Sequence, residues 1–83
     1  LQELYLSSNQ ISSIESSSFK DLASLKSLFL NNNCIFQLDS RFFINLQSLL
    51  NLDLSSNLIT DLKRNVFIYL KDSNLGTLNL EKN

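Results

Sequence analysis

The sequence predicts an α/β solenoid built on one parallel β-sheet of four short strands, with mostly irregular segments carrying the chain from each strand to the next. Three observations lead there. A single apolar pattern returns along the whole chain at intervals of 24, 24 and 26 residues, starting at Leu1, Leu25, Leu49 and Leu75. An asparagine recurs at one fixed place in every unit. The 83 residues contain no Pro and one Gly, whereas a non-repetitive domain of this size needs several tight turns of the kind those residues make. Ser and Asn must turn the chain instead, which fits one kind of turn used repeatedly.

The first unit, residues 1–24, carries Leu1, Leu4, Leu6, Asn9, Ile11, Ile14, Phe19 and Leu22. Leu4 and Leu6 flank Tyr5 in the alternation of a short strand, with the leucines on one face and the residue between them on the other. Past Asn9 the alternation ends, and Ile11, Ile14, Phe19 and Leu22 follow at spacings of three to five residues. That spacing suits a coil turning back with one apolar side and a short helical turn. The second unit, 25–48, repeats the positions as Leu25, Leu28, Leu30, Asn33, Ile35, Leu38, Phe43 and Leu46. The third, 49–74, gives Leu49, Leu52, Leu54, Asn57, Ile59, Leu62, Phe67 and Leu70, and is two residues longer. Its excess falls in 71–74, where a small bulge is expected. The fourth, 75–83, keeps Leu75, Leu78, Leu80 and Asn83 and is truncated there. No coil can enclose its own leucines, but stacked coils roof one another, which makes the fold quasi-one-dimensional. The strands then run parallel, about 4.7–4.9 Å apart, as one curved sheet.

The asparagines need a separate account, because a buried polar group left unpaired costs about 1–3 kcal/mol. A carboxamide has two donors and an acceptor, so it can serve both N–H and C=O groups freed where the strand turns, whereas an ionised Asp only accepts. Asn9, Asn33, Asn57 and Asn83 are therefore read as a structural ladder.

These positions spell L-x-x-L-x-L-x-x-N-x-I/L, seen here as LQELYLSSNQI, LKSLFLNNNCI and LLNLDLSSNLI, and over its whole length the chain resembles leucine-rich-repeat proteins. The 24-residue unit and the Phe at its nineteenth position are similar to the subclass common in extracellular proteins, such as Toll-like receptor ectodomains, chaoptin-like adhesion proteins, Slit-like guidance proteins and small proteoglycans. The resemblance implies a horseshoe arc whose concave sheet binds protein ligands and whose convex side has little regular helix. It also implies a secreted or cell-surface receptor or adhesion protein, its parent a single-pass membrane protein engaged in signalling. The longer third unit looks more like a receptor ectodomain than a small proteoglycan. The chain opens on Leu and lacks the cysteine-rich caps that flank extracellular members, so it is expected to be an excerpt.

Core positions are committed to packing, which leaves specificity to the third, fifth and seventh residues of each unit. The third position reads Glu3, Ser27, Asn51, Thr77, the fifth Tyr5, Phe29, Asp53, Asn79, and the seventh Ser7, Asn31, Ser55, Glu81. Tyr5 and Phe29 share a column on neighbouring strands. Their rings should lie side by side on the outer face, with cross-strand contact contributing about 0.2–1 kcal/mol. Aromatic residues are also enriched at interface hot spots, although two rings can cover each other without any ligand. The candidate ligand-binding residues are Tyr5 and Phe29, edged by Glu3 and Asp53, with Asn79 and Asn31 beside them. On the returning segment Phe42 and Val66 read as core support. Ile44, Ile68 and Tyr69 could contact a partner subunit, and Arg41, Lys63 and Arg64 read as a solvated basic spot.

Several function classes are excluded. Seven basic and eight acidic residues give a net charge of −1, without the concentrated Lys and Arg that nucleic acid or anionic lipid attracts. No apolar run of about 18 residues spans a membrane within this stretch, and the missing leader pattern says nothing about where the parent resides. Cys34 is the one cysteine and there is no His, so neither a disulfide framework nor a Cys/His zinc site can form. Cys34 reads as a small variable residue or a free thiol, and Asn32-Asn33-Cys34 as the rare Asn-Xaa-Cys glycosylation variant. Without His the usual catalytic triads are absent, Gly76 alone makes no phosphate loop, and Asp21 and Glu15 have nothing to suggest a shared pocket. No cofactor, metal or catalytic residue is expected. The sequence therefore reads as a non-catalytic module for a protein ligand or partner subunit. The alternatives are a cytoplasmic scaffold or adaptor, and the sensing arm of a larger enzyme such as a receptor kinase.

Overall fold

The computed structural model describes residues 2–38, 46–60 and 75–83. Strands β1 (Glu3–Tyr5), β3 (Ser27–Phe29), β5 (Asn51–Asp53) and β6 (Thr77–Asn79) form one four-stranded parallel sheet in the order β1-β3-β5-β6. The register sets Leu4 beside Leu28, Leu28 beside Leu52 and Leu52 beside Leu78, so the apolar pattern of the sequence is also the pairing of the sheet. Hydrogen bonding runs past the strand ends. The N–H groups of Leu6, Leu30 and Leu54 donate to the carbonyls of Phe29, Asp53 and Asn79 at 2.8, 2.9 and 2.9 Å. Those of Ser8, Asn32 and Ser56 reach Asn31, Ser55 and Glu81 at 3.0, 3.0 and 2.9 Å.

Each strand ends in the same turn. Ser8, Asn32, Ser56 and Lys82, the eighth residues of their units, have φ of 57°, 59°, 54° and 59°. None is glycine, and the left-handed region costs an L-residue about 1–2 kcal/mol. The turn is therefore held by its surroundings rather than by local preference. Gly76 is the reverse case. Its φ is not positive, and a Cβ there would meet only the Leu50 carbonyl oxygen at 3.7 Å, so the single glycine is not what the backbone requires.

The returning segments carry the expected short helical turn and, beyond it, a short strand pairing. Among the described residues they hold a second sheet, in which β2 (Ser13–Ile14) pairs in parallel with β4 (Gln37–Leu38), and one 3₁₀ helix (Ser16–Phe19). Backbone bonds from Cys34 N–H to the Ile11 carbonyl (2.8 Å) and from Leu58 N–H to that of Ile35 (2.8 Å) tie successive coils together between the two sheets. The expected bulge in 71–74, the core positions Phe42, Phe43, Leu62, Val66, Phe67 and Leu70, the apolar Ile44, Ile68 and Tyr69, and the basic Arg41, Lys63 and Arg64 all lie outside the described residues.

Burial shows how the coils depend on one another. Leu25, Leu28, Leu30 and Ile35 of the second coil are fully buried, and Leu52 and Leu54 of the third are 1% and 0% exposed. The same positions in the first and last coils, Leu4, Leu6, Ile11, Leu75, Leu78 and Leu80, are only partly buried against that core. Identical residues differ because only inner coils are roofed on both sides, as expected where neighbours supply the core.

The asparagine ladder ties each coil to the one before it. Asn33 Nδ2 donates to the Leu30 carbonyl of its own coil and the Leu6 carbonyl of the previous one, both at 2.9 Å, while its Oδ1 accepts from the N–H groups of Asn9 (3.1 Å) and Ile11 (3.2 Å). Asn57 Nδ2 likewise reaches the Leu54 and Leu30 carbonyls at 3.0 Å, and its Oδ1 accepts from Ile35 N–H at 3.0 Å. Asn83 Nδ2 bonds the Leu54 carbonyl at 2.8 Å, and Ile59 N–H donates to Asn83 Oδ1 at 3.0 Å. Asn33 and Asn57 are buried at 7% and 5% exposure, and no buried side-chain polar atom among the described residues lacks a partner. The side chain of Asn9, in the first coil, donates to its own coil's Leu6 and Ser7 carbonyls, at 3.0 and 3.2 Å.

Two predictions follow from this packing, both in the intact protein that carries these repeats. Leu54→Ala opens a cavity in the shared interior and lowers unfolding free energy by about 2–5 kcal/mol. A denaturant titration giving less than about 0.5 kcal/mol, the range of an exposed site, would contradict the inward placement of Leu54. Asn57→Asp exchanges donors for acceptors facing carbonyls and costs about 1–3 kcal/mol for each carbonyl left unpaired. A loss below about 0.5 kcal/mol, the range of an exposed site, would remove the cross-coil tie as the explanation.

Candidate functional site

Because Leu4, Leu28, Leu52 and Leu78 turn inward, strand alternation turns their neighbours to the opposite face of the sheet. Glu3, Asn51 and Thr77 are exposed there, Ser27, Phe29, Asp53 and Asn79 are half-buried, and Tyr5 is 66% exposed. Tyr5 and Phe29 are register partners. Their rings stack with centroids 4.7 Å apart and planes 8° from parallel, an arrangement worth about 0.5–1.5 kcal/mol beyond the area it buries. The Tyr5 hydroxyl donates to Glu3 Oε2 at 2.5 Å. The structure thus brings Glu3, Tyr5 and Phe29 into one feature, a ring pair anchored at one end by a carboxylate.

The other candidates are engaged within the chain. Asp53 Oδ1 accepts from both the N–H and the hydroxyl of Ser55, at 2.9 and 2.6 Å, so that oxygen closes a local Asx turn instead of edging the rings. Asn79 Oδ1 accepts from Glu81 N–H at 3.0 Å in the same way. Asn31 Oδ1 takes the Ser7 hydroxyl at 2.7 Å across the strands, and Asn51 Nδ2 donates to Ser27 Oγ at 3.2 Å. The roles of Ser55, Ser7 and Ser27 were not anticipated. Their signal was present in the sequence, in polar residues sharing a column 24 positions apart and in Asp followed two places later by Ser.

A second surface feature also went unanticipated. Phe36 and Leu58 are 49% and 58% exposed on the segment leaving the asparagine turn, where Cys34 is an exposed free thiol. The apolar residues at these tenth and twelfth positions replace Gln10 and Ser12 of the first unit. Asn32 is exposed at the turn. A hollow of about 230 Å³ lies beside the first coil, lined by Leu6, Ile11, Ser13, Ile14, Ser18, Phe19 and Leu30. Its serines have no acid or base among those lining residues. No group of three or more His, Cys, Asp or Glu side chains that could hold a metal ion occurs among the described residues.

The Tyr5–Glu3 bond has a titration consequence. The phenol pKa is raised above its ordinary 10.0, first because Glu3 accepts the hydroxyl proton, then through desolvation and the Glu3 charge. The raised value means the bond favours the folded arrangement below pH 10 and is lost as pH rises through the higher folded pKa. Glu3→Gln should move the Tyr5 titration back down toward 10.0. Phenolate absorbance, assigned with Tyr5→Phe, measures this, and an unmoved curve would break the link to Glu3.

A protein-family model described as Leucine rich repeat matches residues 1–59, well over half of the 83. No curated protein matches the chain. The matched span runs through the first three strands of the sheet, the turns at Ser8, Asn32 and Ser56, the cross-coil asparagines Asn33 and Asn57, and both strands of the smaller sheet. Since the match covers the features that make the coils stack, the chain belongs to the leucine-rich-repeat family.

Proposed function

We propose that this chain is a non-catalytic protein-binding module whose concave face, the outer face of the four-stranded sheet, receives a protein ligand on the Tyr5–Phe29 pair. Leucine-rich repeats are generally protein-interaction modules. The observation that carries the reading is the exposed stack itself, with Tyr5 66% exposed on a sheet face whose other outward side chains are small, polar or already bonded within the chain. Rigid aromatic side chains with open surface are what interface hot spots use, and a pre-stacked pair loses little freedom on binding. The parent is read as a secreted or cell-surface receptor or adhesion protein. Support comes from the 24-residue units with Phe19 at the nineteenth place, which resemble extracellular members. The second reading is a cytoplasmic scaffold or adaptor, with which an exposed Cys34, unpaired within these residues, is compatible.

A photo-crosslinking residue at Thr77, exposed on the sheet face, should trap a discrete partner in the intact protein, whereas one at exposed Ser17 on the returning segment should not. With that partner in hand, Phe29→Ala is expected to weaken affinity by about tenfold or more, the scale of a hot-spot residue, without changing the melting transition by more than a few degrees. Unchanged affinity would remove the ring pair from the site.

A further inference from the structure

We infer that the partner presents an arginine or lysine side chain to this face, seated against the Tyr5–Phe29 rings and neutralised by the Glu3 and Asp53 carboxylates. The inference rests on the reading of the concave face as the protein-binding surface and specifies what that surface accepts.

The argument is one of charge and open ring surface. The third, fifth and seventh positions of the four strands carry Glu3, Asp53 and Glu81 and no basic residue. Lys26 and Lys82 stand just before β3 and just after β6 rather than in the strands. The carboxylates are incompletely used: Glu3 Oε2 and Asp53 Oδ1 are bonded within the chain, while Glu3 Oε1 and Asp53 Oδ2 take no hydrogen bond among the described residues. A face-to-face ring pair covers only its inner surfaces. Tyr5 packs against the β1 side of Phe29, so the other face of Phe29 looks toward β5, where Asp53 is its register partner. A cation over an aromatic face is attracted by the ring quadrupole, and a carboxylate at the ring edge adds a second, charge-assisted contact. The flat guanidinium meets both demands at once, lying on the ring while its edge N–H groups reach the carboxylate. A partner acidic at this point would meet three like charges with no compensating cation on the strands.

The test uses a defined probe on the intact protein: a short Gly/Ser peptide carrying one arginine, and the same peptide with neutral, isosteric citrulline. Ring-proton resonances of Tyr5 and Phe29 should shift and saturate with the arginine peptide, and the citrulline peptide should bind about three- to tenfold more weakly. Glu3→Gln combined with Asp53→Asn should remove that difference. The second change keeps an oxygen acceptor for Ser55, as Asn79 shows at the equivalent position of β6. Equal binding of the two peptides, or ring resonances that do not move, overturns the inference. If the Thr77 crosslink to a discrete partner persists in that case, the reading of the face survives and only the basic anchor is lost. If the crosslink is also absent, both fall.

Discussion

Everything in this chain depends on a constraint of size: one coil of about two dozen residues is too thin to hide its own leucines, so each must be closed by its neighbours. The burial gradient records this directly. Leu28 and Leu30 have no exposed surface, while Leu4 and Leu6, chemically identical and identically placed, keep part of theirs. Stability is then shared between neighbours, as in other stacked repeats. The irregular turns can persist without local support because the interior on either side fixes them. Four consecutive turns place a non-glycine residue at positive φ, which is tolerable where packing over-determines the backbone.

The division between interior and outer face was legible in the sequence because it is written in a period. Leucine recurs wherever a side chain points inward, and the paired register of Leu4, Leu28, Leu52 and Leu78 follows from the intervals alone. The ladder of Asn33 and Asn57 was legible for a chemical reason, since only a carboxamide both donates and accepts at one place. The stacked rings followed from Tyr5 and Phe29 sharing a column. The second sheet was not legible. Ser13–Ile14 and Gln37–Leu38 are too short to display alternation, and their pairing is a by-product of coils already aligned by the first sheet. Nor could periodicity tell that Asp53 spends one oxygen on Ser55, because that depends on a rotamer. The exposure of Phe36 and Leu58 escaped for a related reason: a pattern reports which residues are apolar, not which of them find cover.

The outer face combines two kinds of residue that the sequence alone does not separate. Ser7, Asn31, Ser27 and Asn51 bond one another across strands and so stiffen the surface from outside. Tyr5, Phe29 and, among the described residues, the second oxygens of Glu3 and Asp53 remain available. A binding surface assembled on such a tied sheet changes little in shape between its free and bound states, which favours recognition by complementarity over rearrangement.

The ladder also gives the stack a direction. Asn33 serves the amides and carbonyls of the first coil, Asn57 those of the second, and Asn83 those of the third, and the Asn9 side chain bonds carbonyls of its own coil. Each coil is therefore finished by its successor. For a polypeptide emerging amino end first from the ribosome, the newest coil always carries amides waiting for an asparagine not yet made. Maturation then advances like a zip with one slider, and the carboxyl-terminal side of any growing stack is chemically the unfinished one.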